Sequence, residues 1–304
     1  MAADHPTQRP LAALAMRLCA ALVLSAMFAL AKLLSESGVP LVDILFWRQV
    51  PTIVLVLCWL AMRGQLGRLR TERPGSHGRR AVYGVIGMVL NFGAVTLLPL
   101  AEATTLNFTS AIWAVILSSL LLKEAVGRYR WAAVLLGFIG VVVITQPGHS
   151  PIPLFGAAVG LGAAFMIALI SIQIRDLGRT EEPLTVVFYF ALFSVPMLLP
   201  VLLWQGAPAH SPYHWALLAA LGLTGLLGQL LLTASLRYGS VASVIVMDYS
   251  ALIWATLFGF LLFDRLPSST TWLGAPMVVL AGLIIAWREH HLSRRTAPPT
   301  PPVA

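Results

Sequence analysis

The sequence predicts an all-α integral membrane protein with ten transmembrane helices arranged as two inverted five-helix repeats. Three observations predict it. The 304-residue chain is 58% hydrophobic and 11% charged, whereas soluble domains carry about 25% charged residues. Its apolar residues fall into stretches of about 20, the length that crosses a bilayer. The first five stretches also resemble the last five in order and spacing.

Span one is expected over 12–34. Arg9, Arg17 and Ala29-Leu30-Ala31 give it the look of a cleavable signal peptide. The nine spans that follow, and its place in the repeat, favour a retained helix. Span two is read over 41–62, span three over 80–99, span four over 102–122 and span five over 129–146. The second set follows at 154–175, 183–204, 213–234, 240–262 and 270–288. The repeats thus occupy 12–146 and 154–288, between a short segment, 1–11, and a tail, 289–304. The Pro-rich composition of that tail predicts disorder.

Basic residues set the direction. With both termini cytoplasmic, Arg9, Arg17 and the arginines from Arg63 to Arg80 lie inside. So do Lys123, Arg128, Arg130, Arg175, Arg179, Arg237, Arg288, Arg294 and Arg295. Only Arg265 falls in an outer loop. The net charge of +8 therefore reports topology and gives no reason to expect a nucleic-acid partner. Trp59, Trp131, Trp204, Trp215, Trp272 and Trp287 fall near span ends, as interfacial anchors do. Cys19 and Cys58 lie in apolar runs and the histidines show no ligand spacing, so no metal or cofactor is expected.

The internal repeat rests on polar and small residues. Gly84, Gly87 and Asn91 of span three recur 138 residues later as Gly222, Gly225 and Gln229. Ser110-Ala111 and Glu124 of span four recur 140 residues later as Ser250-Ala251 and Asp264. Because five is odd, the second copy must sit upside down. Inverted repeats are a transporter architecture, with the solute site where they meet.

Ten spans, two five-helix repeats and an acidic residue closing the fourth span of each resemble the drug/metabolite transporter superfamily, specifically its EamA-type members. The pattern of a lysine late in span one and an arginine in span two is met by Lys32 and Arg48. The second repeat has no matching arginine; Phe190 falls near that place. The resemblance implies a proton-linked or passive secondary carrier of the bacterial inner membrane. It also implies a central cavity lined by spans one, three, four, six, eight and nine.

Within the spans, Thr104, Asn107, Ala111, Ala114 and Ser118 share one face of span four. Asp248, Ala251, Ala255 and Gly259 share one face of span nine. Small residues and amides of this kind serve either helix packing or a polar cavity. Asn91, Asn107, Trp113, Gln229, Asp248, Tyr249, Ser250 and Trp254 are the candidate solute-binding residues. Asp248 is also the candidate proton-coupling group, because a carboxylate inside a membrane is costly unless protonated or paired. Its alternatives are a substrate ammonium or a neighbouring helix. Lys32, Arg48 and Glu102 are the candidate gating residues. Lys32 is placed to snorkel to the outer surface. Arg48 suits an ion pair with Glu36, Asp43 or Glu102, or an anion-binding patch.

No nucleotide-binding or hydrolase motif is present. The expected activity is export of a small polar amino-acid-derived metabolite, such as an opine-type metallophore, by alternating access. Uptake of a vitamin or of S-adenosylmethionine is the alternative, and an intramembrane enzyme built on Asp248 the remote one.

Overall fold

The computed structural model describes residues 10–121, 127–146, 152–177, 180–206, 210–238 and 246–296. Every regular element among them is helical. Span one is Pro10–Glu36, span two Leu41–Met62, span three Pro74–Leu97 and span five Arg128–Thr145. Spans six, seven, eight and ten are Leu154–Leu177, Pro183–Gln205, Pro212–Tyr238 and Ser269–Thr296. Span four is two helices in series, Leu100–Phe108 and Ser110–Leu121. Span nine is a 3₁₀ turn, Val246–Ser250, running into an α-helix, Ala251–Phe263. Among the described residues, nine helices are long and apolar enough to cross a membrane, and Met247–Phe263 is a shorter apolar helix. The first residues expected in span nine, 240–245, lie outside the described residues.

Local chemistry sets several boundaries. Pro74 and Pro183 open spans three and seven, where a missing N–H costs nothing. Gly38, with φ at +87°, turns the chain between spans one and two, a backbone shape that penalises other residues. Two expected limits move. Span three starts at Pro74 rather than at 80, so Arg80 lies inside the helix and not in a loop. Span ten continues to Thr296, so residues 289–296 prolong its helix; residues 297–304 lie outside the described ones.

Span one packs along span eight, and span three along span six. Spans two and seven pair with each other, as do spans five and ten and spans four and nine. Exchanging the repeats interchanges the first two pairs and turns each of the other three into itself, as a two-repeat architecture requires. The outward surface is hydrocarbon: Leu261, Leu273 and Trp204 are 63%, 69% and 87% exposed. In water such a surface would aggregate; in lipid it is solvated. The interior, by contrast, holds Arg17, Lys32, Asp43, Arg48, Arg80 and Glu102. Below, the lower face is the side on which span one begins, and the upper face is the other.

Candidate functional site

The backbone singles out the same level in both repeats. In span four the Thr109 N–H bonds to the Leu106 carbonyl, a three-residue step that interrupts the α-helix. The Thr109 hydroxyl also donates to Leu106 O at 2.6 Å. In span nine the Ser250 hydroxyl donates to Met247 O at 2.6 Å, and the α-helix begins at Ala251. The 140-residue shift places the two restarts within one residue of each other. Hydroxyl back-bonding competes with the helix ladder and bends it. Span four is therefore interrupted near its middle, and the described part of span nine opens on a 3₁₀ turn at the repeat-related position, as at transporter sites.

Candidate residues collect around these breaks. Asn107 Nδ2 donates to Asn91 Oδ1 at 2.8 Å, joining spans four and three. Asn107 Oδ1 is buried and has no partner in the protein. The Phe108 ring meets Tyr249 edge-on, with centroids 4.9 Å apart, joining spans four and nine. Tyr249 continues onto Gly282 of span ten, where a Cβ would collide with its hydroxyl. Trp113 stands edge-on to Phe138 and Phe165. The indole nitrogens of Trp113 and Trp254, related by the repeat to within one residue, are both buried donors without protein partners. Gln229 is half-buried one turn beyond Gly225.

Asp248 meets an arginine of span one. Arg17 Nε reaches Asp248 Oδ1, and Arg17 Nη2 reaches Oδ2, each at 2.5 Å. Such a two-pronged, charge-assisted contact is stronger and more directional than a single one. The Arg17 side chain is 7% exposed and that of Asp248 39%. Of the alternatives for Asp248, this geometry displays a neighbouring helix.

The candidate gating residues separate. Lys32 does not snorkel; its Nζ donates to the Val95 and Leu98 carbonyls at 3.0 and 2.7 Å. These are orphan carbonyls at the end of span three, which a cation satisfies well. Glu102 Oε1 accepts from the Ser268 N–H at 3.0 Å and from the Thr271 hydroxyl at 3.1 Å, fastening the start of span ten. Asp43 lies beside His210, Oδ2 to Nε2 at 3.0 Å. None of the three carboxylates expected as partners reaches Arg48. Its Nη1 donates to Gln49 Oε1 at 2.9 Å, and its remaining neighbours are Met27, Met88 and the Phe92 ring.

Two buried arginines escaped the reading of the sequence, both counted there as topological charges. Arg17 is the partner of Asp248. Arg80, 9% exposed, lies over the Phe190 ring at 4.5 Å. Pro74 was the available signal for Arg80: a helix starting there carries it about 9 Å inward.

Pairs and hydrogen bonds fasten the two faces. On the lower face Arg68 pairs with Glu182 and Arg73 with Asp176, both at 2.6 Å. The Thr71 hydroxyl donates to Glu181, and Tyr189 to Leu69 O. On the upper face Asp43 meets His210, and Trp47 stands edge-on to Trp215. A cleft of about 270 Å³ between spans nine and ten is lined by Leu252, Ile253, Thr256, Pro267, Trp272 and neighbours. Ile253 and Trp272 are 66% and 60% exposed, so this groove faces the lipid and not the polar interior.

The model of the EamA-like transporter family matches residues 11–146 and 154–287. A protein of Vibrio cholerae serotype O1 named a riboflavin transporter is 31% identical over 261 residues, covering 86% of this chain and 87% of its own. The pseudopaline exporter of Pseudomonas aeruginosa strain PAO1 is 29% identical over 269 residues, covering 88% and 93%. The S-adenosylmethionine uptake transporter of Rickettsia prowazekii is 26% identical over 250 residues, covering 81% and 83%. A crystal structure with 22% identity superposes with a TM-score of 0.63 over 94% of this chain and all of its own, a likeness of fold.

Proposed function

The chain belongs to the EamA-like transporter family, and from that premise we propose that it exports a small polar amino-acid-derived metabolite by alternating access. Transport of small metabolites across a membrane follows from the family and its named relatives. The direction, the solute and the mechanism are our reading. The observation that carries the mechanism is the matched pair of interrupted helices, at Thr109 and at Ser250. Inverted repeats that break at one level can exchange conformations, opening one face as the other closes. The interior is polar there, with amides, indole N–H groups and an ion pair, as recognition of a polar solute requires.

Asp248 is the group we assign to proton coupling. Protonation removes its charge and weakens its hold on Arg17, so a proton entering from the water-reached side loosens span one from span nine. Lys32 and Glu102 support this movement by fixing helix ends, and Asp43 with His210 forms the upper latch. We place the protein in the bacterial inner membrane with both termini cytoplasmic, on the basic-residue bias. It carries its solute through unchanged, and its partners are that solute, protons and lipid.

The pseudopaline exporter favours an opine-type solute moving outward. The riboflavin transporter, at 31% identity, favours a second reading, uptake of a vitamin. Untargeted metabolomics of cells and medium, with and without the protein, separates them. An opine or amino acid depleted from the medium when the protein is absent supports export. A flavin whose entry depends on the protein overturns that reading in favour of uptake.

A further inference from the structure

We propose that Arg48, Arg80 and Gln49 form a receptor for an oxyanion, so that the transported solute carries a carboxylate or phosphate group. The inference rests on the transporter reading and narrows its solute class.

The two guanidinium groups come from spans two and three and line one stripe of span three. Arg80 Nη1 lies against Gly84, one turn above its own Cα. Arg48 Nη1 reaches the Met88 sulfur, one turn above Gly84. Their contacts thus fall on adjacent turns of one helix face. Arg48 is 8% exposed and Arg80 9%. Neither has a carboxylate partner among the described residues. The acidic residues that do lie inside are engaged elsewhere: Asp248 with Arg17, Asp43 with His210, Glu102 with span ten, Glu181 with Thr71.

The hydrogen-bonding inventory has one sign. Arg80 Nε, Arg80 Nη1 and Gln49 Nε2 are buried and have no partner in the protein. All three are donors, because the Gln49 oxygen already accepts from Arg48. Two unneutralised cations and three free N–H groups call for acceptor oxygens with negative charge. A guanidinium matches a carboxylate or phosphate with two parallel bonds. Glycine lets each side chain lie close against a helix. Gly84 backs Arg80, and Gly225 backs Arg48, whose Cγ would sit 3.5 Å from a Cβ there. The rings of Phe92 and Phe190 cover the other faces. A structural role for both arginines would instead place each beside a carboxylate, as Arg17 is beside Asp248.

The test uses the full chain in proteoliposomes and in cells. Wild type, Arg80→Gln, Arg80→Lys and Arg48→Gln are compared by metabolomics, and the solutes that move are identified by mass. The proposal expects every solute dependent on the protein to bear an acid group. It expects Arg80→Gln and Arg48→Gln to weaken half-saturation for that solute at least tenfold. Arg80→Lys keeps the charge and should lose less. Size-exclusion profiles matching wild type separate binding from folding. A transported solute lacking any acid group overturns this inference and leaves the transport reading intact. So does an unchanged half-saturation in both glutamine variants. If no solute depends on the protein, the transport reading falls, and this inference with it.

Discussion

Breaking the Arg17–Asp248 pair from its two ends should have unequal effects. Asp248→Asn leaves a guanidinium that is 7% exposed. Its remaining contacts are long ones, to Leu232 O at 3.3 Å and Ser235 Oγ at 3.5 Å. Removing one partner of a fully buried pair costs about 3–5 kcal/mol. Asp248 is 39% exposed, so water screens part of this, and about 2–3 kcal/mol is the expected loss. Arg17→Gln leaves the carboxylate instead, the more exposed of the two groups, and about 1 kcal/mol is expected. The double variant removes both charges, so its loss should fall short of the sum by about 1–2 kcal/mol. Denaturant unfolding of the purified protein in detergent, followed by tryptophan fluorescence, measures all three. Arg17→Gln costing as much as Asp248→Asn would refute the burial asymmetry. Losses that add within about 0.5 kcal/mol would refute the pairing itself. Transport provides the functional arm. Asp248→Asn should abolish gradient-driven accumulation and leave exchange of bound solute partly intact. Driven transport at the wild-type rate would sink the coupling role.

Lys32→Met strands the Val95 and Leu98 carbonyls and should cost about 1–3 kcal/mol in the same unfolding assay; a wild-type midpoint would return Lys32 to the surface. Gly84→Val drives a side chain into Arg80 and Phe190, at about 1–3 kcal/mol, and should lower transport with it. Full stability and activity in that variant would contradict the close approach. Asp43→Cys with His210→Cys puts thiols on facing side chains whose polar ends touch at 3.0 Å, within reach of a short bis-methanethiosulfonate linker. Linking them should stop transport and reductant restore it, whereas transport by the linked protein would show that the upper face does not open there.

Helix content was legible because bilayer thickness imposes it: 20 apolar residues in a row have few other uses. Most expected spans lie within a few residues of the observed helices. The repeat was legible too, since Gly84, Gly87 and their counterparts lie where neighbouring helices approach. Charge placement was less so. A count of arginines gives topology but not depth, and a long side chain can serve a loop or the interior. Arg17 and Arg80 were counted for direction and missed as interior groups. Pairing across 231 residues, as between Arg17 and Asp248, leaves no local trace in the chain. Lys32 shows the opposite difficulty. Its position near a span end suits snorkelling, and only the neighbouring end of span three explains why it turns inward.

The two repeats share a backbone device and differ in the charges set around it, and that difference separates movement from recognition. Spans two and seven begin at Leu41 and Pro183, so Phe190 falls near the place in the second repeat where Arg48 stands in the first. The second repeat therefore supplies no matching arginine there. Yet Arg80, from span three of the first repeat, lies over the ring of that same Phe190. The place that symmetry would give to a second cation is filled by a cation from elsewhere, resting on the aromatic ring that replaced it. Strict symmetry would set Arg48 and its copy at equal depths on opposite sides of the midplane. The observed arrangement instead puts both guanidinium groups on a single helix face of the first repeat. Conformational exchange needs the repeats alike in backbone, and Thr109 with Ser250 keeps them alike. Recognition of one solute needs them unlike in side chains, and the placement of Arg48, Arg80 and Phe190 makes them so.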